Sequence, residues 1–140
     1  MGISTKSQKG NVGSTKQKNF LLFIDDNPLI LETVKQLVEK SSYDLLLKDD
    51  PFDGLCALAK NKPSAVFIDV NIGKLDGYQF CALVKAQSIF QYIPLIVVLE
   101  FASKLEQAKA YAAGANAVLV KPFGKNELLK LCFSPGAQAA

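Results

Sequence analysis

Five short apolar runs, each followed by a stretch of helical periodicity, predict an α/β fold: a doubly wound, five-stranded parallel sheet with helices on both faces. The runs are continuous rather than alternating, as strands covered on both sides must be. Size agrees, because 140 residues at 49% hydrophobic and 21% charged make one globule able to bury a core without staples. With right-handed crossovers and strand order 2-1-3-4-5, strands one and three are neighbours where the winding reverses, and a crevice opens beyond their carboxyl ends.

Residues 1–19 carry Lys6, Lys9, Lys16 and Lys18, no acid and little to bury, and read as a disordered tail. The domain proper is expected over 20–133, with 134–140 a frayed end. "FLLFI" (20–24) is too short for a helix and apolar on both faces, hence a central strand. Asn27-Pro28 reads as an N-cap with proline at the first helical position, opening a helix whose inward face is Ile30, Val34, Leu37 and Val38. "DLLLK" (44–48) is the second strand; the helix after it aligns Phe52, Leu55, Cys56 and Ala59, with Gly54 weakening its first turn. "SAVFID" (64–69) is the third strand. Beyond its loop, a helix from about Tyr78 to Gln87 turns Phe80, Cys81 and Val84 inward. "PLIVVLE" (94–100) is followed by an alanine-rich helix closed by Gly114, a C′ glycine. "NAVLV" (116–120) and a short helix from Lys125 to Phe133 complete the series.

Composition excludes several chemistries. Histidine is absent, which removes histidine triads and most transition-metal sites. Cys56, Cys81 and Cys132 are widely spaced among apolar neighbours and read as reduced core thiols of a cytoplasmic protein. No apolar run is long enough for a membrane span and no signal-peptide core is present. The 16 basic residues are all lysine against 13 acids, without the aromatic interleaving of a nucleic-acid site, so neither nucleic acid nor membrane is expected as a partner. Phosphate-binding by a P-loop is excluded too, since Gly73-Lys74 and Gly124-Lys125 lack its glycine-rich approach and its following hydroxyl.

What remains is at the strand ends. Asp25 and Asp26 follow strand one, Asp69 ends strand three, Leu99 and Glu100 end strand four, and Lys121-Pro122 follows strand five. One acid at a strand end is usually a turn former or cap, and Asp26 taken alone reads as a cap, as Asp76-Gly77 reads as turn chemistry. Three carboxylates converging on one crevice raise one another's pKa and cost stability unless a cation intervenes. All-oxygen ligation suits Mg²⁺. A carboxylate beside that ion is a plausible phosphoryl acceptor, with Lys121 supplying positive charge at the transferred group's oxygens.

From about Phe20 to Phe133 the sequence resembles the receiver domains of two-component response regulators. The matching elements are "IDD" (24–26), "FIDVN" with "LDG" six residues past its aspartate, and "KPF" (121–123) after "GANAVLV". Their spacing agrees: Asp26 to Asp69 is 43 residues, and Asp69 to Lys121 is 52. The resemblance implies a flavodoxin-like fold, Asp69 as phosphoacceptor, Mg²⁺ held by Asp25, Asp26, Asp69 and the main-chain carbonyl of Asn71, and Lys121 on the phosphoryl group. It also implies a histidine kinase or phosphotransfer protein as donor, a downstream effector protein, and a homodimer as one possible assembly.

Four positions depart from that pattern. A hydroxyl expected at the end of strand four is Leu99, the small residue after it is Glu100, and the switch aromatic of strand five is Val118. The loop after the acceptor has Ile72-Gly73 for the usual Met-Pro, which loosens it. A carboxylate at Glu100 would repel a phosphoryl group if it turned inward, or stand clear if it turned to solvent. Residues needed to accept phosphate are thus present while those of the familiar readout are not. This leaves two functions open, a phosphorylated receiver acting by protein–protein interaction and a phosphate-independent pseudo-receiver. A third, a small phosphohydrolase with Asp69 as nucleophile, lacks the second acid two residues on, where Asn71 stands.

Overall fold

The computed structural model describes residues 19–133. The tails assigned from sequence to 1–19 and 134–140 fall, Asn19 apart, outside the described residues. Five strands and five α-helices alternate: β1 (Phe20–Ile24), α1 (Pro28–Val38), β2 (Asp44–Lys48), α2 (Pro51–Asn61), β3 (Ala65–Asp69), α3 (Gly77–Lys85), β4 (Leu95–Leu99), α4 (Lys104–Ala112), β5 (Ala117–Val120) and α5 (Lys125–Phe133). A short 3₁₀ turn at Ser88–Phe90, which no periodicity announced, leads into β4. All pairings are parallel and the order is β2-β1-β3-β4-β5.

The two-residue period of the strands divides the core in two. Leu22, Ile24, Val66, Ile68, Val97 and Leu99 face α2, α3 and α4, where they meet Leu58, Phe80, Cys81, Val84 and Ala110. Leu21, Phe23, Phe67, Ile96, Val98 and Leu119 face α1 and α5 and meet Val34, Val38, Leu128 and Leu131. Phe23 and Phe67 stack with ring centroids 5.4 Å apart.

The helix starts follow their capping chemistry. Asn27 Oδ1 accepts from the Leu29 amide at 2.9 Å, Asp50 caps α2 through the Phe52 and Asp53 amides, and Asp76 forms a capping box with Gln79 at α3. The cap of α1 is therefore Asn27, not the exposed Asp26. Gly114, at φ +108°, takes the left-handed turn after α4 that a side chain would strain.

Two expectations need correction. In α2 the buried positions are Pro51, Gly54, Ala57 and Leu58, whereas Phe52, Cys56 and Ala59 face outward. The helix sits so close to the sheet that a Cβ on Gly54 would lie 2.4 Å from Ile24 Cδ1. Close approach at Gly54, rather than the most apolar stripe, sets the inward face. It follows that only Cys81 and Cys132 are core thiols, while Cys56 is exposed.

Candidate acid-lysine site at the strand ends

Sheet register assembles the site. Ile24 pairs with Ile68 and Leu99 with Val120, so Asp25 and Asp69 emerge side by side while Glu100 and Lys121 emerge together one pleat further on. Alternation also sorts the faces: Asp25, Asp69, Glu100 and Lys121 share the parity of Phe23, Phe67, Val98 and Leu119, on the α1 and α5 side. Leu99, buried at 1% exposure, and the half-buried Val118 belong to the other side and pack in the α3 and α4 core.

Asp25 and Asp69 are buried polar residues at 1% and 4% exposure. Asp25 Oδ1 accepts from the Asn27 amide at 2.9 Å, which fixes that carboxylate over the start of α1. Lys121 Nζ lies 3.0 Å from Asp69 Oδ1, 3.2 Å from Asp25 Oδ2 and 3.4 Å from Glu100 Oε1. Burial lifts the Asp69 carboxyl above the usual carboxylate range, the Asp25 charge lifts it further, and Lys121 opposes both. Burial alone would lower the Lys121 ammonium, but Asp69 and Asp25 outweigh it and hold the pKa above the usual lysine value.

One carboxylate oxygen from each of Asp25, Asp26 and Asp69 falls within 4.8 Å of the others, so the three acids read from the sequence do converge. For the two buried oxygens Asp25 Oδ2 and Asp69 Oδ1 the single ammonium of Lys121 is the cation at hand, and one positive charge does not balance two buried carboxylates. The remaining negative charge and lone pairs are what a hard, oxygen-seeking cation would satisfy. Asn71, two residues past the end of β3, is exposed on the lip of a cleft of about 260 Å³ shared with Leu99, Glu100, Phe101 and Ser103.

Neighbouring loops hold this end of the sheet in place. Gly77 packs so tightly on the Asp69–Val70 peptide that a Cβ would lie 2.9 Å from Val70 Cα and 3.0 Å from the Asp69 carbonyl oxygen. Its amide closes the turn by donating to the Val70 carbonyl at 3.1 Å. Two further groups went unnoticed in the sequence. The Tyr78 hydroxyl donates to Glu106 Oε1 and to the Glu106 carbonyl, tying α3 to α4 beside the cleft. Lys74 reaches Asp50 at 3.2 Å and ties the loop after β3 to the start of α2. Neither is signalled by spacing, because each joins residues far apart in the sequence, 28 positions for Tyr78 and Glu106 and 24 for Lys74 and Asp50. Glu100 was the open case, and its carboxylate reaches Lys121 rather than standing clear of the site.

Comparison with known proteins agrees with this architecture. Residues 21–133 match the response regulator receiver domain family. Protein PilG of Pseudomonas aeruginosa is 37% identical over 109 residues, covering 78% of this chain and 81% of that one. Among solved structures, a response regulator from Chloroflexus aurantiacus superposes with a TM-score of 0.81 at 25% identity, covering 86% of this chain and 99% of that one. The receiver domain of sensor histidine kinase PA1611 from P. aeruginosa PAO1, solved with a magnesium ion in its active site cleft, gives a TM-score of 0.75 at 23% identity, over 83% of this chain and 95% of that one.

Proposed function

The chain belongs to the response regulator receiver domain family, and from that membership we propose that it is a signalling receiver phosphorylated on Asp69 in a Mg²⁺-dependent reaction. The observation that carries this reading is the convergence of three carboxylates with Lys121 at the ends of β1, β3 and β5. Asp69 is the nucleophile: a carboxylate oxygen bonds to phosphorus while the bond to the donor's leaving group breaks, and the leaving group departs with the electron pair. Asp25, Asp26, Asp69 and the Asn71 main-chain carbonyl would hold Mg²⁺, which when bound neutralises charge on the transferred phosphoryl oxygens. Lys121 supplies the second positive charge, held ready by Asp25 before the group arrives. A histidine kinase or phosphotransfer protein fits as donor and an effector protein as target.

A phosphate-independent interaction module is the second reading, favoured by the burial of Leu99 and Val118 in the core where the family's responsive hydroxyl and ring would be. Incubation with acetyl phosphate, with and without Mg²⁺, followed by intact-mass measurement separates the two. A Mg²⁺-dependent phosphoryl adduct supports the receiver. A folded protein that acquires no adduct supports the phosphate-independent module.

A further inference from the structure

Lys121 is shared by three carboxylates, and the third belongs to no part of the phosphate-accepting set. Glu100 Oε1 lies 3.4 Å from Nζ, and the Glu100 side chain is 43% exposed while that of Lys121 is 14% exposed. The glutamate therefore covers the solvent side of the ammonium. On the inner side, Asp69 Oδ1 and Asp25 Oδ2 stand 3.0 and 3.2 Å from Nζ, so one ammonium is divided among three carboxylates. The arrangement continues the strand alternation one residue past β4, with Glu100 following Ile96 and Val98 toward the side that carries Lys121.

A phosphoryl group on Asp69 brings further anionic oxygens to the same ammonium, on the side Glu100 now covers. The two cannot be served equally by one lysine. We propose that Glu100 is a positioning residue that competes with the phosphoryl group for Lys121, holding the lysine in the resting state and slowing phosphorylation until it lets go. The inference rests on the reading of Asp69 as the acceptor. It assigns the glutamate a brake on acceptance that acts through the lysine, distinct from a general repulsion of anionic donors.

The test uses acetyl phosphate with Mg²⁺ and follows the phosphoryl adduct by intact mass over time. In the step, an Asp69 oxygen bonds to phosphorus as the phosphorus–oxygen bond to acetate breaks and acetate leaves with the electron pair. Four proteins are compared: the wild type, Glu100→Gln, Lys121→Met and the double variant. Glu100→Gln keeps length and removes charge at a half-exposed position, so the fold is retained. The expected result is adduct formation about two- to fivefold faster in Glu100→Gln, the scale of one partly screened ion pair. That gain should vanish when Lys121 is also replaced; where neither Lys121→Met protein reacts, the Glu100→Gln gain should persist at high salt, and a gain abolished by salt shows bulk repulsion and overturns the proposal. A gain that persists without the lysine shows bulk charge at work and overturns the proposal, as does a Glu100→Gln rate equal to or below the wild type. In those cases Asp69 remains the acceptor. No adduct on either protein that retains Lys121 removes both the brake and the receiver reading.

Discussion

Replacing Gly77 with alanine tests how tightly the start of α3 holds the acceptor. The new Cβ would sit 2.9 Å from Val70 Cα and 3.0 Å from the Asp69 carbonyl oxygen, both backbone atoms that cannot rotate away. Ordinary carbon contacts lie near 3.5–4.0 Å, so the peptide after Asp69 and the first turn of α3 must separate by roughly half an ångström. Overpacking of this kind costs about 1–3 kcal/mol. The alanine recovers about 0.4–1 kcal/mol through the unfolded chain, leaving a net loss of about 1–2 kcal/mol. At ~4 °C per kcal/mol for a domain of this size, the melting temperature should fall by roughly 4–8 °C. The same displacement acts on the peptide that positions Asp69, and misplacement on this scale should slow phosphorylation about tenfold. Urea unfolding gives the first quantity and adduct formation from acetyl phosphate gives the second. A Gly77→Ala protein with unchanged midpoint and unchanged rate would refute the claim that this contact fixes the acceptor.

Four further outcomes are expected. Gly54→Ala drives a Cβ to within 2.4 Å of the buried Ile24 Cδ1; overpacking of about 1–3 kcal/mol, less about 1 kcal/mol gained by alanine in the helix, should leave a net loss of up to ~2 kcal/mol in urea unfolding, with the Mg²⁺ response intact. Asp69→Asn removes a buried charge that desolvation and Asp25 disfavour, so the metal-free variant should melt at a higher temperature, and a calorimetric scan without divalent ions reads the sign. Cys81 and Cys132 are pushed up to about 12 by burial, so native protein should show one fast-reacting thiol, Cys56, and three after denaturation. Because those two buried thiols stay protonated in the fold while the unfolded chain ionises nearer the ordinary cysteine value of ~9, stability should fall as pH rises between about 9 and 12, by up to ~1.4 kcal/mol per pH unit per thiol. Chemical denaturation at stepped pH, repeated on Cys132→Ala, measures that slope; an unchanged slope in the variant contradicts the assignment.

Most of the fold and the membership of the site were legible because they rest on local signals. Continuous apolar runs, the Asn27-Pro28 start and the Gly114 stop mark the elements, and the order of strands brings Asp25, Asp69 and Lys121 to one crevice. The inward face of α2 was misread because apolarity pointed to Phe52 and Cys56, whereas the helix rides on the absence of a side chain at Gly54. The direction of Glu100 was recoverable and was left open: the alternation Ile96, Val98, Glu100 already places it with Lys121, provided β4 keeps its pleat to the end. Tyr78 and Glu106 could not have been paired from sequence, since their contact depends on how closely two separate helices pack at their first turns.

The central claim is that a carboxylate of Asp69 accepts a phosphoryl group, and the residue can be identified directly. Protein treated with acetyl phosphate and Mg²⁺ is reduced with borohydride, which converts an aspartyl phosphate to homoserine, and the peptides are then sequenced by mass spectrometry. The account predicts homoserine at position 69 only when Mg²⁺ was present, and none anywhere in Asp69→Asn. Homoserine at position 25 or 26 instead, or none in a folded wild-type protein, would contradict it.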